Sequence, residues 1–298
     1  MSMADGTALP LRAWLPKDPA GKPRDVIGVI VALHGFNDHS LGMEVPGAGM
    51  ARRGYAVYAY DQRGFGKTPQ RGIWPGETQL TADLRTAIAL LRARYPGKPV
   101  YVLGESMGGA VAMVAAAEKA GLAVDGLILA SPATWGWETL TPLYRDFLDI
   151  AAHTIPWMTV TPRTISVQAS NNISALRKMG RDKLVIRATR VDAAYGLVNL
   201  MSAAYRAVPD ICQPERGTPP CFIAYGGRED ILDQGAVTQT LQRFRQLPPQ
   251  GARLALYRYG YHLLLRDLDA RKVFDDIAVW LADPSQPLPS GADRLPGD

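Results

Sequence analysis

Residues 104–108 read Gly104-Glu105-Ser106-Met107-Gly108, a G-x-S-x-G motif that decides the fold. The apolar run 100–103 stands directly before it. An Ala-rich run, 107–120, follows and is typical of a helix packed tightly on a sheet. A serine between a strand and a helix lies on a sharp turn where neighbouring side chains would clash, and glycine relieves that crowding. The stretch therefore predicts a strand–turn–helix unit that exposes Ser106 as a nucleophile.

Further apolar runs predict the rest of a central sheet. Each ends at a Gly, Asp or Ser turn or a His-Gly pair, and they occupy residues 26–33, 55–60, 127–130, 221–225 and 254–259. Nearly continuous apolar strands indicate burial on both faces, as in a parallel sheet. Helical patterns at 80–94 and 273–281 alternate with these runs, and residues 9–14 are expected to add an antiparallel edge strand. The pattern predicts a doubly wound α/β fold.

The alternation breaks after residue 133, which divides the chain into segments. Residues 1–133 and 211–283 are expected to form the α/β core. Residues 134–210, rich in aromatic side chains and without a clear strand, are expected to form a helical cap over the carboxyl edge of the sheet, where ligands bind in such folds. The Pro-, Ser- and Gly-rich tail, 284–298, is predicted to be disordered.

Ser106 needs a base and an acid to act as a nucleophile. In hydrolases with this elbow the chain order is Ser, acid, His, which leaves His262, on a loop after the last strand, as the base. The acid is expected after the preceding strand, where three carboxylates compete. Asp230 is the prediction because the two apolar residues after it can anchor the loop, and Glu229 and Asp233 are the alternatives.

Two backbone N–H groups are expected to bind the oxyanion that forms when Ser106 attacks a carbonyl. One belongs to Met107, at the helix start immediately after the nucleophile. The other belongs to Phe36, in the loop after strand 26–33, where Gly35 lets the backbone approach closely. His34, in the same loop, is interpreted as a structural residue.

Several motifs together resemble the monoacylglycerol lipase and lysophospholipase branch of the α/β-hydrolases, which is sometimes grouped with serine aminopeptidases. Residues 34–40, His-Gly-Phe-Asn-Asp-His-Ser, are similar to that family's HGxGxHS loop, with Asn37 replacing the second glycine. Residues 61–68 are similar to its D-x-R-G-H-G-x-S turn, with Phe65 and Thr68 as departures. The elbow resembles G-H-S-M-G-G, with Glu105 at the variable position.

The resemblance implies an α/β-hydrolase fold with a small mobile cap that forms an acyl tunnel, and ester hydrolysis without a metal or an organic cofactor. A serine carboxylic-ester hydrolase acting on monoacylglycerol or lysophospholipid-type esters is the leading hypothesis. A short-chain or aromatic carboxylesterase and an aminopeptidase or amidase share the same triad. A non-catalytic ligand-binding homologue is a further alternative, opposed by the filled triad positions.

The composition and charge of the chain limit the classes of binding partner that we expect. The net charge is +5, but Lys and Arg are scattered among Asp and Glu, so no nucleic-acid partner is expected. The expected partner is a small acyl ester, with transient lipid-surface contact through the cap and no obligate protein partner. Cys212 and Cys221 could pair in an oxidising compartment, but two unrelated free thiols are the favoured interpretation, and no cluster has metal-ligand spacing.

No run of eighteen apolar residues occurs, and the first residues lack the pattern of a signal peptide. A cytoplasmic location is the expectation. The chain enters ordered-looking sequence abruptly, so a leader removed from its start would leave a periplasmic or secreted location open.

Overall fold

The structure is a computed structural model that describes residues 1–161 and 167–294. Its strands in chain order are β1 (Leu11–Trp14), β2 (Gly28–Leu33), β3 (Tyr55–Tyr60), β4 (Val100–Glu105), β5 (Gly126–Ala130), β6 (Thr159–Val160), β7 (Thr189–Arg190), β8 (Cys221–Gly226) and β9 (Ala252–Tyr257). Its helices are α1 (Glu44–Ala51), α2 (Glu77–Arg94), α3 (Met107–Ala117), α4 (Pro142–Thr154), α5 (Ile173–Arg181), α6 (Val191–Ala207), α7 (Gln234–Phe244) and α8 (Ala270–Ala282).

Seven strands form one sheet in the order β1-β3-β2-β4-β5-β8-β9. β1 is antiparallel to β3 and lies at the edge, and every other pair in the sheet is parallel. The five inner strands are buried along their whole length, which explains their nearly continuous apolar sequences. The predicted α/β-hydrolase fold, with a mostly parallel sheet and an antiparallel edge strand, is confirmed.

Helices cover both faces of this sheet. One buried apolar cluster joins the sheet to α2, α3, α6 and α7, and a second joins its other face to α1 and α8. α3 is nearly all small residues, so α6 packs closely on its outer side. The sequence pattern did not reveal α1, because Pro46 and two glycines interrupt its eight residues.

The segment predicted as the cap, 134–210, contains α4, α5 and α6. A two-stranded antiparallel ribbon, β6 with β7, joins its two halves, although no strand was expected there. Part of the segment, 162–166, lies outside the described residues. Among the residues described, no helix combines the length and hydropathy needed to cross a bilayer.

Two expectations are wrong. Cys212 and Cys221 form a disulfide rather than two free thiols, because the loop between α6 and β8 returns Cys212 to the first residue of β8, with the Cα atoms 5.3 Å apart. The tail is ordered up to Arg294: Leu288 is buried in the cluster beneath α8, and Leu256 N–H donates to Ala292 O. The prediction of disorder for residues 295–298 lies outside the described residues.

Candidate active site

The nucleophile turn lies at the carboxyl edge of the sheet, between β4 and α3. Ser106 has a φ of +54°, a left-handed conformation that is strained for a residue with a side chain. A Cβ on Gly108 would overlap Leu33 at the end of β2, and one on Gly104 would overlap the backbone at Gly108 and Gly109. The glycines of the motif therefore allow the tight approach of strand and helix that holds Ser106 in this conformation.

His262 is the hydrogen-bond partner of the Ser106 side chain. The Ser106 Oγ–H donates to His262 Nε2 over 2.9 Å, which requires the imidazole tautomer with its proton on Nδ1. His262 lies on the loop five residues beyond the end of β9 and is almost fully buried. The contact expected from the chain order, Ser106 with His262, is present.

Glu229, and not Asp230, is the carboxylate on the other side of the imidazole. His262 Nδ1–H donates to Glu229 Oε2 over 2.7 Å. Asp230 is exposed and its Oδ2 accepts from Gln168 N–H instead, so the prediction that Asp230 orients His262 is wrong. Asp233, the other alternative, caps α7 by accepting from Ala236 N–H.

The loop after β8 explains this choice. The Leu232 side chain is buried in the core cluster and anchors the loop as expected, but the backbone N–H groups of Ile231 and Leu232 donate to Glu229 Oε1, at 2.8 and 3.0 Å. Burial opposes ionisation of Glu229, but the hydrogen bond and charge of His262 and these two N–H groups outweigh it and lower the pKa of the carboxyl. Glu229 therefore stays ionised beside the imidazole.

The two predicted oxyanion donors belong to backbone next to Ser106: Met107 follows it in the chain, and Phe36 follows Gly35. A Cβ built on Gly35 would lie 3.4 Å from Ser106 Cβ, so the loop after β2 passes directly against the nucleophile. Within residues 1–161 and 167–294, neither Phe36 N–H nor Met107 N–H donates to a protein acceptor. Both groups are therefore free to receive a developing negative charge.

The loop that carries Phe36 is fixed by its neighbours. The Phe36 ring packs edge-on against Phe65, with 5.6 Å between ring centroids, and Phe65 packs in the same way against His34. His34 donates from Nδ1 to Gly35 O and accepts Gln62 N–H at Nε2, as expected of a structural residue. Burial lowers the pKa of His34, which keeps this ring neutral.

A buried group of three ionisable side chains lies beneath the site and was not predicted. Arg266 Nη2–H donates to both Asp38 Oδ2 and Glu105 Oε2 at 2.6 Å. Glu105 could have predicted this group from the sequence. It is a carboxylate at the end of a buried strand, and a buried charge needs a partner of opposite sign. Asp38 belongs to the loop that carries Phe36, residues 34–40, which we call the oxyanion loop. Glu105 directly precedes the nucleophile, and Arg266 lies four residues after His262.

A cavity of about 800 Å³ is lined by Ser106 and His262. Its walls are mostly apolar side chains from the segment between β5 and β8. They include Trp135, Leu140, Tyr144, Phe147, Leu148, Met179, Val185, Leu197, Val198 and Met201. The charged side chains that line it among the described residues are Asp38 and Arg266, which are paired with each other. In the described part of the chain no group of three or more His, Cys, Asp or Glu residues is arranged to hold a metal ion.

Comparison with known proteins identifies a family and several relatives of this chain. The model of the family described as serine aminopeptidase, S33, matches residues 24–269. Human monoglyceride lipase is 27% identical over 288 residues, covering 94% of this chain and 88% of that protein. The monoacylglycerol lipase of Mycolicibacterium smegmatis is 23% identical and covers 86% and 89%.

Solved structures show the same fold. A soluble variant of the monoglyceride lipase from Saccharomyces cerevisiae, in complex with a substrate analogue, superposes with a TM-score of 0.74 at 18% identity, covering 93% of this chain and 92% of that one. The carboxyl esterase of Bacillus coagulans, in complex with glycerol, gives 0.73 at 20% identity, covering 95% and 96%.

Proposed function

The chain belongs to the serine aminopeptidase S33 family, and from that premise we propose that it is a serine hydrolase that cleaves the ester bond of monoacylglycerols. The observation that carries the proposal is the hydrogen-bonded series Ser106–His262–Glu229, whose Ser106 and His262 line a mostly apolar cavity of about 800 Å³. Relatives named as monoglyceride and monoacylglycerol lipases, matched along most of their length, support the same substrate.

The proposed reaction has two halves. Ser106 Oγ attacks the ester carbonyl carbon while His262 Nε2 takes the hydroxyl proton, and ionised Glu229 stabilises the imidazolium. The Phe36 and Met107 N–H groups bind the carbonyl oxygen as it becomes an oxyanion, at about 3–4 kcal/mol per donor. His262 then protonates the leaving alcohol, and a water molecule, deprotonated by His262, releases the acid from Ser106.

The lining of the cavity favours an uncharged lipid over the other substrates of this chemistry. An aminopeptidase needs an unpaired carboxylate for the substrate amine, and a lysophospholipid offers a phosphate that calls for an unpaired cation. Of the described lining residues, the two with a permanent charge, Asp38 and Arg266, are already paired with each other, so neither is left without a partner for a charged substrate. An acyl chain, in contrast, requires the apolar walls that the cavity has.

We also propose that α4 touches the lipid surface from which the substrate comes. Leu143, Tyr144, Phe147 and Ile150 are each more than 60% exposed, and Tyr144 and Phe147 also line the cavity. Apolar side chains at this helical spacing present one face to the surroundings.

We expect Leu143→Ser with Ile150→Ser to weaken binding to phosphatidylcholine vesicles without slowing turnover of a soluble ester, since neither side chain lines the cavity. Equal vesicle binding by the variant and the wild type would refute this contact.

A labelling and profiling experiment tests the proposed function. A fluorophosphonate probe should label the wild-type protein and not Ser106→Ala, because the probe traps an activated serine. Turnover of p-nitrophenyl esters should rise with acyl length, and monoacylglycerol should be hydrolysed faster than lysophospholipid or an aminoacyl amide. An unlabelled wild-type protein, or faster turnover of the amide than of every ester, would overturn the proposal.

A further inference from the structure

Three hydrogen bonds join the loop that carries Phe36 to the segment before α6. Asn37 Nδ2–H donates to Thr189 Oγ1 over 2.7 Å, and Ile186 N–H donates to Asn37 O over 2.9 Å. His39 Nε2 lies 2.9 Å from Asp182 Oδ2. The partners come from one stretch, 182–189, which ends in the ribbon strand β7.

Asn37 makes two of these three bonds in a conformation that glycine adopts more readily. Its φ is +62°, in the left-handed region where a side chain is unfavourable and asparagine is tolerated. The motif that this loop resembles has glycine here. Asparagine therefore brings no conformational advantage, and what it adds is the amide that reaches Thr189.

Thr189 connects this contact to the rest of the cavity wall. It pairs with Val160 in the ribbon, and the first residue of α6, Val191, donates its N–H to Met158 O just before β6. The ribbon thus holds the end of α4 and the start of α6 at the same place. Asn37 itself lines the cavity next to Phe36.

We propose that Asn37 is a positioning residue that, through Thr189, holds the oxyanion loop in the conformation that directs Phe36 N–H toward the substrate. The Phe36 ring fixes one side of this loop by packing on Phe65, and the Asn37 amide fixes the other side. Without the amide, the bond from Ile186 N–H to the backbone carbonyl of residue 37 remains, and we expect the peptide unit between Phe36 and residue 37 to be held less firmly. The inference rests on the proposed hydrolase function, because an oxyanion donor matters only if an oxyanion forms.

The test compares Asn37→Gly with Thr189→Val on a soluble p-nitrophenyl ester. Each variant removes one half of the hydrogen bond, and glycine also suits the backbone angle. We expect kcat to fall about tenfold in each variant, while KM stays within about twofold of the wild-type value. This loss is smaller than the loss expected when an oxyanion donor is removed completely, because the Phe36 N–H is still present. The rate of labelling by a fluorophosphonate should fall by the same factor, because its phosphoryl oxygen occupies the same site.

Two further variants sharpen the test. Combining Asn37→Gly with Thr189→Val should cost no more than either change alone. Asn37→Asp should recover kcat to within about threefold, because aspartate tolerates this backbone angle and can accept a hydrogen bond from the Thr189 hydroxyl. Gln70→Gly is the matched control: Gln70 also has a positive φ, of +58°, but lies in an exposed turn, and its replacement should leave kcat unchanged.

Failure of the inference differs from failure of the proposed function. If the wild type shows Ser106-dependent turnover and both single variants match it within twofold, Asn37 does not position the loop. The inference is also wrong if the two losses multiply in the double variant, or if KM rises while kcat is unchanged. Absence of turnover in the wild type would instead refute the proposed function itself.

Discussion

Glu229 illustrates how single residues acquire their roles from their neighbours. It stands beside Asp230, and both carboxylates follow β8 at the correct edge of the sheet. The difference is that two backbone N–H groups donate hydrogen bonds to Glu229, whereas Asp230 is exposed and accepts a hydrogen bond from Gln168 N–H. The chain order therefore identified Ser106 and His262, but the acid depends on the path of a short loop that no sequence pattern specifies.

Replacing the two carboxylates one at a time tests this assignment. We expect Glu229→Gln to lower kcat about 10³- to 10⁴-fold, because glutamine neither stabilises the imidazolium nor selects the tautomer with the proton on Nδ1. Asp230→Asn, the matched control one residue away, should stay within about threefold of the wild type. Steady-state kinetics with a p-nitrophenyl ester measure both, and a larger loss for Asp230→Asn would contradict the assignment.

Glu105 makes the stability of the protein depend on pH. Burial raises the pKa of its carboxyl, although Arg266 opposes the shift, and Asp38 adds a second negative charge to the group. The folded protein then holds a proton on Glu105 at pH values where the unfolded chain has released it. The contribution of this group to the free energy of unfolding consequently falls as pH rises between the ordinary and the raised pKa.

Glu105→Gln should remove that dependence. Glutamine keeps an oxygen that accepts the Arg266 hydrogen bond but cannot ionise, so the variant should gain stability relative to the wild type as pH rises. Urea unfolding at several values from about pH 5 to about pH 8 measures the difference. Parallel stability curves for the two proteins would show that Glu105 does not change its ionisation on folding.

At the scale of elements, local patterns revealed the sheet and long-range contacts escaped them. The inner strands were predictable because burial on both faces leaves a continuous apolar run, and α2, α3 and α8 were recognisable from their sequence patterns. The bond between Cys212 and Cys221 was not predictable, because it depends on how the loop after α6 folds back. This disulfide fixes the exit of α6 to the start of β8, the strand that leads to Glu229.

Removing the disulfide should destabilise the protein without altering the site. We expect Cys212→Ala with Cys221→Ala to lower the free energy of unfolding by about 2–3 kcal/mol, the value for closing a loop of this length. Chemical denaturation of the oxidised wild type and the double variant measures the loss. Labelling of Ser106 should remain equal under native conditions, and equal stability of the two proteins would show that the crosslink does not constrain the unfolded chain.

For the whole molecule, composition was a poor guide to the last segment. Its proline, serine and glycine content suggested disorder, yet Arg253 pairs with Asp293, and Ser290 N–H donates to Asp276. These contacts are specific pairings with residues far away in the chain, which composition does not encode. The tail thereby covers the edge of β9 and the base of α8.

Leu288 should carry much of this attachment. We expect Leu288→Ala to cost about 2–4 kcal/mol of unfolding free energy, because the side chain is only 4% exposed. Leu268→Ala is the control, since Leu268 is 72% exposed and its loss should cost less than about 0.5 kcal/mol. Thermal and urea unfolding of the two variants would disprove the attachment if their stabilities were the same.

The packing of α6 against α3 has an evolutionary consequence. Most walls of the cavity come from the segment between β5 and β8, so substitutions there can change the substrate range without touching the nucleophile. However, α6 packs directly against α3, the helix that begins after Ser106, so it supports the position of the nucleophile. New specificities should therefore arise by exchange of α4 and α5, whose surfaces are largely exposed, whereas α6 should be inherited with the core.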